Sequence, residues 1–297
     1  MHLRKLVGSF AIAACFIAAG PLRGQPANPS WTSVDQALGR SGTTQPDGVR
    51  RYGFPRSDLH VTLDGVTIKP ALALGGWLAF EPMGSSSMVM GDLVLTQDEV
   101  NPVMSELLKG GIHITAVHNH LLRSSPMTIY MHVEGRGDPA RLAETLHAAL
   151  ALSHTPPAAA PAATPVPVDL DTAAIDRIMG RPGKANGGVY QFTFPRAEKI
   201  MDGGMPVPAS MGTGTGINLQ PLGGGKAATT GDFVLLASEV DPVLRELRSN
   251  GIEVTALHSH MTGEQPTIYF MHFWGVGPAT QLARGLKAAV DRTNVQR

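Results

Sequence analysis

At 297 residues the chain is long enough for about two domains, and a hydrophobic fraction of 43% supports packed cores rather than general disorder. Lys+Arg and Asp+Glu stand at 24 each, with no basic block or stripe, which argues against a nucleic-acid binder working by phosphate neutralisation. Aromatics make up only 5%, too few for stacking platforms.

The chain opens with an export pattern. Arg4 and Lys5 form a basic start, and Leu6 to Ala19 form an apolar run too short to span a bilayer comfortably. Residues 1–24 are therefore expected to be removed, leaving a periplasmic or secreted protein. The single cysteine, Cys15, lies in IAAC, the small-residue spacing of a lipoprotein acceptor, but the apolar run continues past it. Simple secretion is the preferred reading, and a lipid anchor at Cys15 is the one membrane attachment left open. Ordinary cleavage leaves no thiol, so disulfides and cysteine–metal sites drop out.

From Trp31 to Arg40 and from Asp171 to Gly180 the apolar spacing predicts short helices, each followed by an aromatic run into Phe-Pro-Arg (Phe54-Pro55-Arg56 and Phe194-Pro195-Arg196). A strand-and-turn region follows, with a turn at Asp64-Gly65; its glycine-rich equivalent, Asp202 to Leu222, slips in register by about a residue. Next come buried strands at GDLVL (Gly91 to Leu95) and GDFVL (Gly231 to Leu235). Helices after them are expected to be capped by Asn101 or Asp241, with Pro102 or Pro242 at the first position. Strands at Ile112 to His120 and Thr128 to Glu134 and a helix from Pro139 to Leu152 complete the unit. The order is strand–helix–strand–strand–helix plus extra strands, twice, which predicts an α+β protein of two tandem ferredoxin-like sandwich domains. The expected domains are 25–152 and 169–297, joined by a Pro/Ala-rich linker at 153–168.

Two stretches carry the candidate chemistry: AVHNHLLRSSPMTIYMHVEG (Ala116 to Gly135) and ALHSHMTGEQPTIYFMHFWG (Ala256 to Gly275). His118, His120 and His132 recur 140 residues later as His258, His260 and His272, so six of the 11 histidines are matched. Strand alternation puts Ile112, Ile114, Ala116, His118 and His120 on one face, with Met131 and Met271 on the face opposite the histidines. A tight hairpin of even register then brings His132 beside His118 and His120, and three imidazoles at a sheet edge suit Zn²⁺ or Cu²⁺. Glu264, in the second turn only, adds a possible carboxylate ligand or general base; the first turn has Ser124. The second hairpin is thus the expected principal site, and the first a weaker one.

Blander readings apply elsewhere. Asp92 and Asp232, each after a glycine at a strand start, are expected in turns, and Glu99 and Glu239 are explained by helix-dipole compensation. Arg56 and Arg196 are expected in structural ion pairs rather than at an anion site. No P-loop, Rossmann glycine pattern or nucleophile elbow occurs.

On GFPRSDL (Gly53 to Leu59), VMGDLVLTQDEVNPVMSELLKGGI (Val89 to Ile112), the two histidine hairpins and MHFWG (Met271 to Gly275), the chain resembles the LppY/LpqO family of bacterial exported proteins and lipoproteins. The resemblance covers both halves and implies export and two copies of one domain, with no reaction attached. Members carry an acidic residue in the turn after the histidine pair, where Ser124 stands in the first half, and often a histidine where Glu134 stands. The leading expectation is a divalent transition-metal binder using His258, His260, His272 and Glu264, with an equivalent at His118, His120 and His132. Two rivals accompany it: a metal-dependent hydrolase with Glu264 as base, and a metal-free envelope ligand-binding module with structural histidines.

Overall fold

The computed structural model describes residues 31–157 and 166–296. The export segment, Cys15 and the middle of the Pro/Ala stretch lie outside them. The first half runs α1 (Trp31–Leu38), β1 (Thr43–Thr44), β2 (Arg50–Pro55), β3 (Thr62–Leu63), β4 (Val66–Thr67), α2 (Pro70–Ala73), β5 (Gly75–Met83), β6 (Ser86–Leu95), α3 (Gln97–Lys109), β7 (His113–His118), β8 (Ile129–Gly137) and α4 (Pro139–Leu150). The second repeats this as α5 (Thr172–Met179), β9 (Lys184–Asn186), β10 (Val189–Pro195), β11 (Met201–Asp202), β12 (Met205–Pro206), β13 (Gly214–Gly223), β14 (Lys226–Leu236), α6 (Ala237–Ser249), β15 (Glu253–His258), β16 (Glu264–Gln265), β17 (Ile268–Pro278) and α7 (Ala279–Val290). A 3-10 turn at Ala209–Met211 replaces α2 in the second half.

Each half builds a six-stranded antiparallel sheet, ordered β1-β2-β5-β6-β8-β7 in the first and β9-β10-β13-β14-β17-β15 in the second. The protein is α+β with two similar halves. Helices cover one face of each sheet: Leu93, Met131 and Val133 meet Val103, Leu107, Leu142 and Leu146 in the first half. Phe233, Met271 and Phe273 meet Val243, Leu247 and Leu286 in the second. The two remaining faces lie against each other, because the other apolar clusters mix both halves: Val94 and Tyr130 with Ala228 and Trp274, and Met88 and Met90 with Val234 and Phe270. The chain is thus layered helix, sheet, sheet, helix, related by a pseudo-twofold.

The sequence misplaces the start of α3 and α6. These begin at Gln97 and Ala237, so Pro102 and Pro242 sit inside the helices rather than at their first positions. Glu99 and Glu239 lie in the first turn, where their carboxylates accept the Thr96 and Leu236 N–H groups (2.8 Å each). That closes the start of each helix and leaves Asn101 and Asp241 no capping role. Each glutamate also receives a buried arginine: Arg56 Nη1 donates to Glu99 at 2.7 Å and to the Val94 carbonyl at 2.8 Å. Arg196 does the same to Glu239 at 2.7 Å and to the Val234 carbonyl at 2.6 Å. Burial alone would raise the Glu99 pKa, but the Arg56 guanidinium, the Thr96 N–H and His154 hold it down at about 2.

Ser153 to Pro156, expected in the linker, rest against the first half: the His154 N–H donates to Glu99 at 2.8 Å and Arg40 donates to the Pro156 carbonyl at 3.0 Å. Asn294 makes the equivalent bond to Glu239 in the second half (2.8 Å). The Asp64-Gly65 turn has both residues at positive φ (49° and 79°), as Gly203-Gly204 do (52° and 80°). Such a tight hairpin needs residues that tolerate this region.

Candidate metal centre at the pseudo-twofold axis

The histidines reach the interface through a β-bulge. On β7 and β8, Ile114 pairs with Val133 but Ala116 pairs with His132, leaving Thr115 as an extra residue; Thr255 is extra in the same place on β15. The added residue reverses the alternation. Ile112 and Ile114 stay on the helix-covered face, whereas Ala116 and His118 turn to the face carrying Tyr130 and His132. The expectation that Ile112, Ile114 and the histidines share one face is therefore corrected. Even register holds for Ala116, His118, Tyr130 and His132, and Met131 and Met271 do lie on the opposite, core face.

The two sets of histidines come together as one cluster. The rings of His118 and His258 stand 3.8 Å apart at the axis. On either side the sets cross over, with His120 3.7 Å from His272 and His132 4.5 Å from His260. Aromatic rings back both His-x-His pairs: Tyr130 stacks on His120 at 3.5 Å and Phe270 on His260 at 3.6 Å.

Two carboxylates that the sequence reading assigned to turns complete the cluster. Asp92 pairs with His132 across β6 and β8, and Asp232 with His272 across β14 and β17. The glycines before them allow close strand contact: a Cβ on Gly91 would stand 2.6 Å from the Trp77 carbonyl oxygen, and one on Gly231 2.0 Å from that of Gly216. The overlooked feature was a charged residue inside an apolar strand, present at the same place in both repeats.

Several buried ring nitrogens here have no hydrogen-bond partner among the described residues. His272 Nδ1 lies 2.5 Å from Asp232 Oδ1 and 3.1 Å from the Gly231 carbonyl, so its proton sits there and Nε2 presents a lone pair inward. Among the described residues that Nε2 has no partner, nor has either nitrogen of His118 or His258 Nδ1, and His120 Nε2 has only Asp92 Oδ2 at 3.5 Å. His258 Nε2 and His260 Nε2 are 2.9 Å apart, near the roughly 2.9–3.4 Å between neighbouring nitrogens on one ion. His132 differs in being engaged by the Thr115 hydroxyl at 3.0 Å.

Burial, reinforced by the neighbouring imidazoles, pulls the pKa of His118 to about 2, of His132 to about 3 and of His258 to about 4, and takes His120 and His260 well down. These five imidazoles are therefore neutral near pH 7, with lone pairs free of competing protons. The carboxylates diverge. Burial and the Asp232 charge push Asp92 well up, whereas Asp232, despite partial desolvation, is held low by His272.

One ligand atom from each of His118, His258, His260 and His272 falls within 4.8 Å of the others; Asp92 with His118 and His120, and His120 with Asp232 and His272, form further groups. The four-histidine group takes donors from both halves. Glu264 is buried in the turn but stands outside these groups, its Oε1 accepting the Ile268 N–H at 3.1 Å.

The model of the Domain of Unknown Function (DUF1259) family matches the chain twice, over residues 32–152 and 173–292. The chain is a tandem member of the DUF1259 family. Each DUF1259 copy supplies one histidine hairpin and one Gly-Asp strand to the cluster. Comparison with curated proteins gives no match. Among solved structures, the crystal structure of a trimeric bacterial microcompartment shell protein, PduB, is similar at 12% identity and a TM-score of 0.22, over 85% of this chain and 90% of that one. So loose a likeness carries no argument.

Proposed function

We propose that this tandem DUF1259 protein is exported and holds a Zn²⁺ or Cu²⁺ ion between its two halves. His118, His258, His260 and His272 are the ligands, and Asp232 orients His272. The observation that carries this reading is that His118, His258, His260 and His272 each bring a ring nitrogen within 4.8 Å of the others, with buried nitrogens of His118, His258 and His272 left without a hydrogen-bond partner among the described residues. Leaving such groups unsatisfied costs about 1–3 kcal/mol each, and a borderline ion offers them a common partner. The metal-free alternative leaves that cost unexplained. Export rests on the sequence of residues 1–24 and the LppY/LpqO resemblance. We also read each half as ferredoxin-like: strands β5-β6-β8-β7 with α3 and α4 have that neighbour order, β5 taking the place of a last strand.

The natively purified mature chain is expected to contain stoichiometric Zn²⁺ or Cu²⁺. His118→Ala and His258→Ala should each abolish it, although they lie in different halves. Two independent sites would leave roughly half the metal in either variant. A native protein with no metal and no uptake of Zn²⁺ or Cu²⁺ would sink the reading.

A second reading, a metal-dependent hydrolase, is favoured by a cleft of about 730 Å³ that reaches Asp92, His120 and Asp232. With Glu264 committed to a backbone N–H, Asp232, which keeps its charge, is better placed to activate water.

A further inference from the structure

The pseudo-twofold gives the histidine cluster two flanks, and they are built oppositely. On one flank Trp77 faces the Asp92 strand, and Ala79 and Met90 are wholly buried in an apolar cluster with Met211 and Phe270. The paired positions on the other flank are Gly216, Asn218 and Thr230, and these line the cleft. A Cβ added to Gly216 would meet nothing within 4 Å. The first half is thus filled in at Met90 and Ala79, where Trp77 forms a wall of the cleft, while Gly216 and Thr230 leave room on the facing side.

One full positive charge, Arg51, lines this cleft. Its guanidinium lies 4.2 Å from the centre of the Trp77 ring and donates through Nη1 to the Ser210 carbonyl. That bond fixes its plane without neutralising its charge. Among the described residues no carboxylate reaches ion-pair distance of it. Asp47 and Asp92 act only from further away, and burial draws its pKa down to about 10. The second half carries neutral Gln191 at the equivalent place. A cleft of about 730 Å³ falls in the small-molecule range of roughly 300–1,000 Å³. With a single arginine to meet it, a monoanion is better matched than a phosphate.

We propose that the cleft beside the histidine cluster binds a small organic carboxylate, gripped by the free edge of the Arg51 guanidinium and entering past Gly216. This deepens the reading above, since the inner end of the cleft is the histidine centre. A planar carboxylate can take two N–H bonds from such a fork, which fixes its orientation as well as its charge. The other end of the molecule then faces Asp92, His120 and Asp232.

The test uses the full mature protein, metal-loaded and metal-stripped, with acetate, benzoate and phenylacetate as probes and their amides as controls, read by calorimetry and ligand-observed NMR. The carboxylates should bind at least about tenfold more tightly than the amides, the scale of a charge-assisted hydrogen bond. Arg51→Gln should erase that preference with metal content unchanged. Gly216→Trp should abolish binding of acid and amide alike, with Gly216→Leu used if the tryptophan variant fails to fold. Equal binding of acids and amides, a preference surviving Arg51→Gln, unimpaired binding in the glycine variants, or no binding of any probe would each overturn the proposal. The two readings fail separately: carboxylate binding that persists in a protein unable to take up metal keeps the cleft and discards the metal centre.

Discussion

The two halves of this chain agree at the axis and disagree on its flanks. Both copies keep the bulge, the His-x-His pair, the Met-His step, the Gly-Asp strand and the buried Arg–Glu brace behind it. They part at Trp77 against Gly216, Met90 against Thr230, Arg51 against Gln191 and Ser124 against Glu264. The shared parts set the strand ends that aim the imidazoles, so neither half can lose them without displacing the common cluster. Of the unshared residues, Trp77, Gly216, Thr230, Arg51 and Gln191 line one cleft.

The braces offer the largest test of the agreement. Arg56 and Arg196 each join the end of a central strand to the first turn of the next helix, and both are almost wholly inaccessible to solvent. Removing one partner of a buried pair leaves the other charge uncompensated, at a cost of about 3–5 kcal/mol. Arg56→Met and Arg196→Met are therefore expected to destabilise by similar amounts in urea unfolding, and the double variant should not fold. A much smaller loss in one half would show that the symmetry is only geometric.

A smaller effect of the first brace depends on pH. The Glu99 pKa is held at about 2, below its ordinary value near 4.5, as Arg56 and the Thr96 N–H outweigh burial. A depressed carboxylate contributes stability that is fully present above about pH 4.5 and lost as pH falls through about 2. Unfolding measured between these limits should show stability falling with acidification, and Glu99→Gln should flatten that slope while lowering stability near neutral pH. An unchanged slope would mean that other carboxylates carry the acid sensitivity.

Much of this was legible in the sequence, for reasons that residues can name. The repeat, the strand–helix order and six matched histidines followed from spacing, because side-chain alternation and helical period are local properties. The start of α3 was not, because Asn101-Pro102 resembles a cap while the actual first turn depends on Glu99 meeting Arg56, 43 residues earlier in the chain. Nor was the merging of the two sets of histidines. One extra residue, Thr115, reverses the face of His118, and such a bulge shows only in the pairing with β8. The Gly-Asp steps at Asp92 and Asp232 suggest turns, where that pair is common. Only the packing of two strand backbones explains that glycine, and only the interface explains the acid.

The turns after the histidine pairs provide the smallest and most discriminating comparison. Both use the same backbone pairing: Ser125 exchanges 2.9 Å bonds with Thr62, and Gln265 pairs with Met201. In the second turn the Glu264 carboxylate is buried and accepts the Ile268 N–H, whereas in the first the Ser124 hydroxyl has no partner among the described residues. Glu264→Ala should therefore cost about 1–3 kcal/mol through a buried N–H left unpaired. Ser124→Ala should stay within about 0.5 kcal/mol, as changes that remove no contact do. Metal content should be unchanged in both. If Glu264→Ala instead releases the metal at little cost in stability, the glutamate is a ligand, as the sequence alone indicated. The second half would then own the centre that the geometry divides between the two.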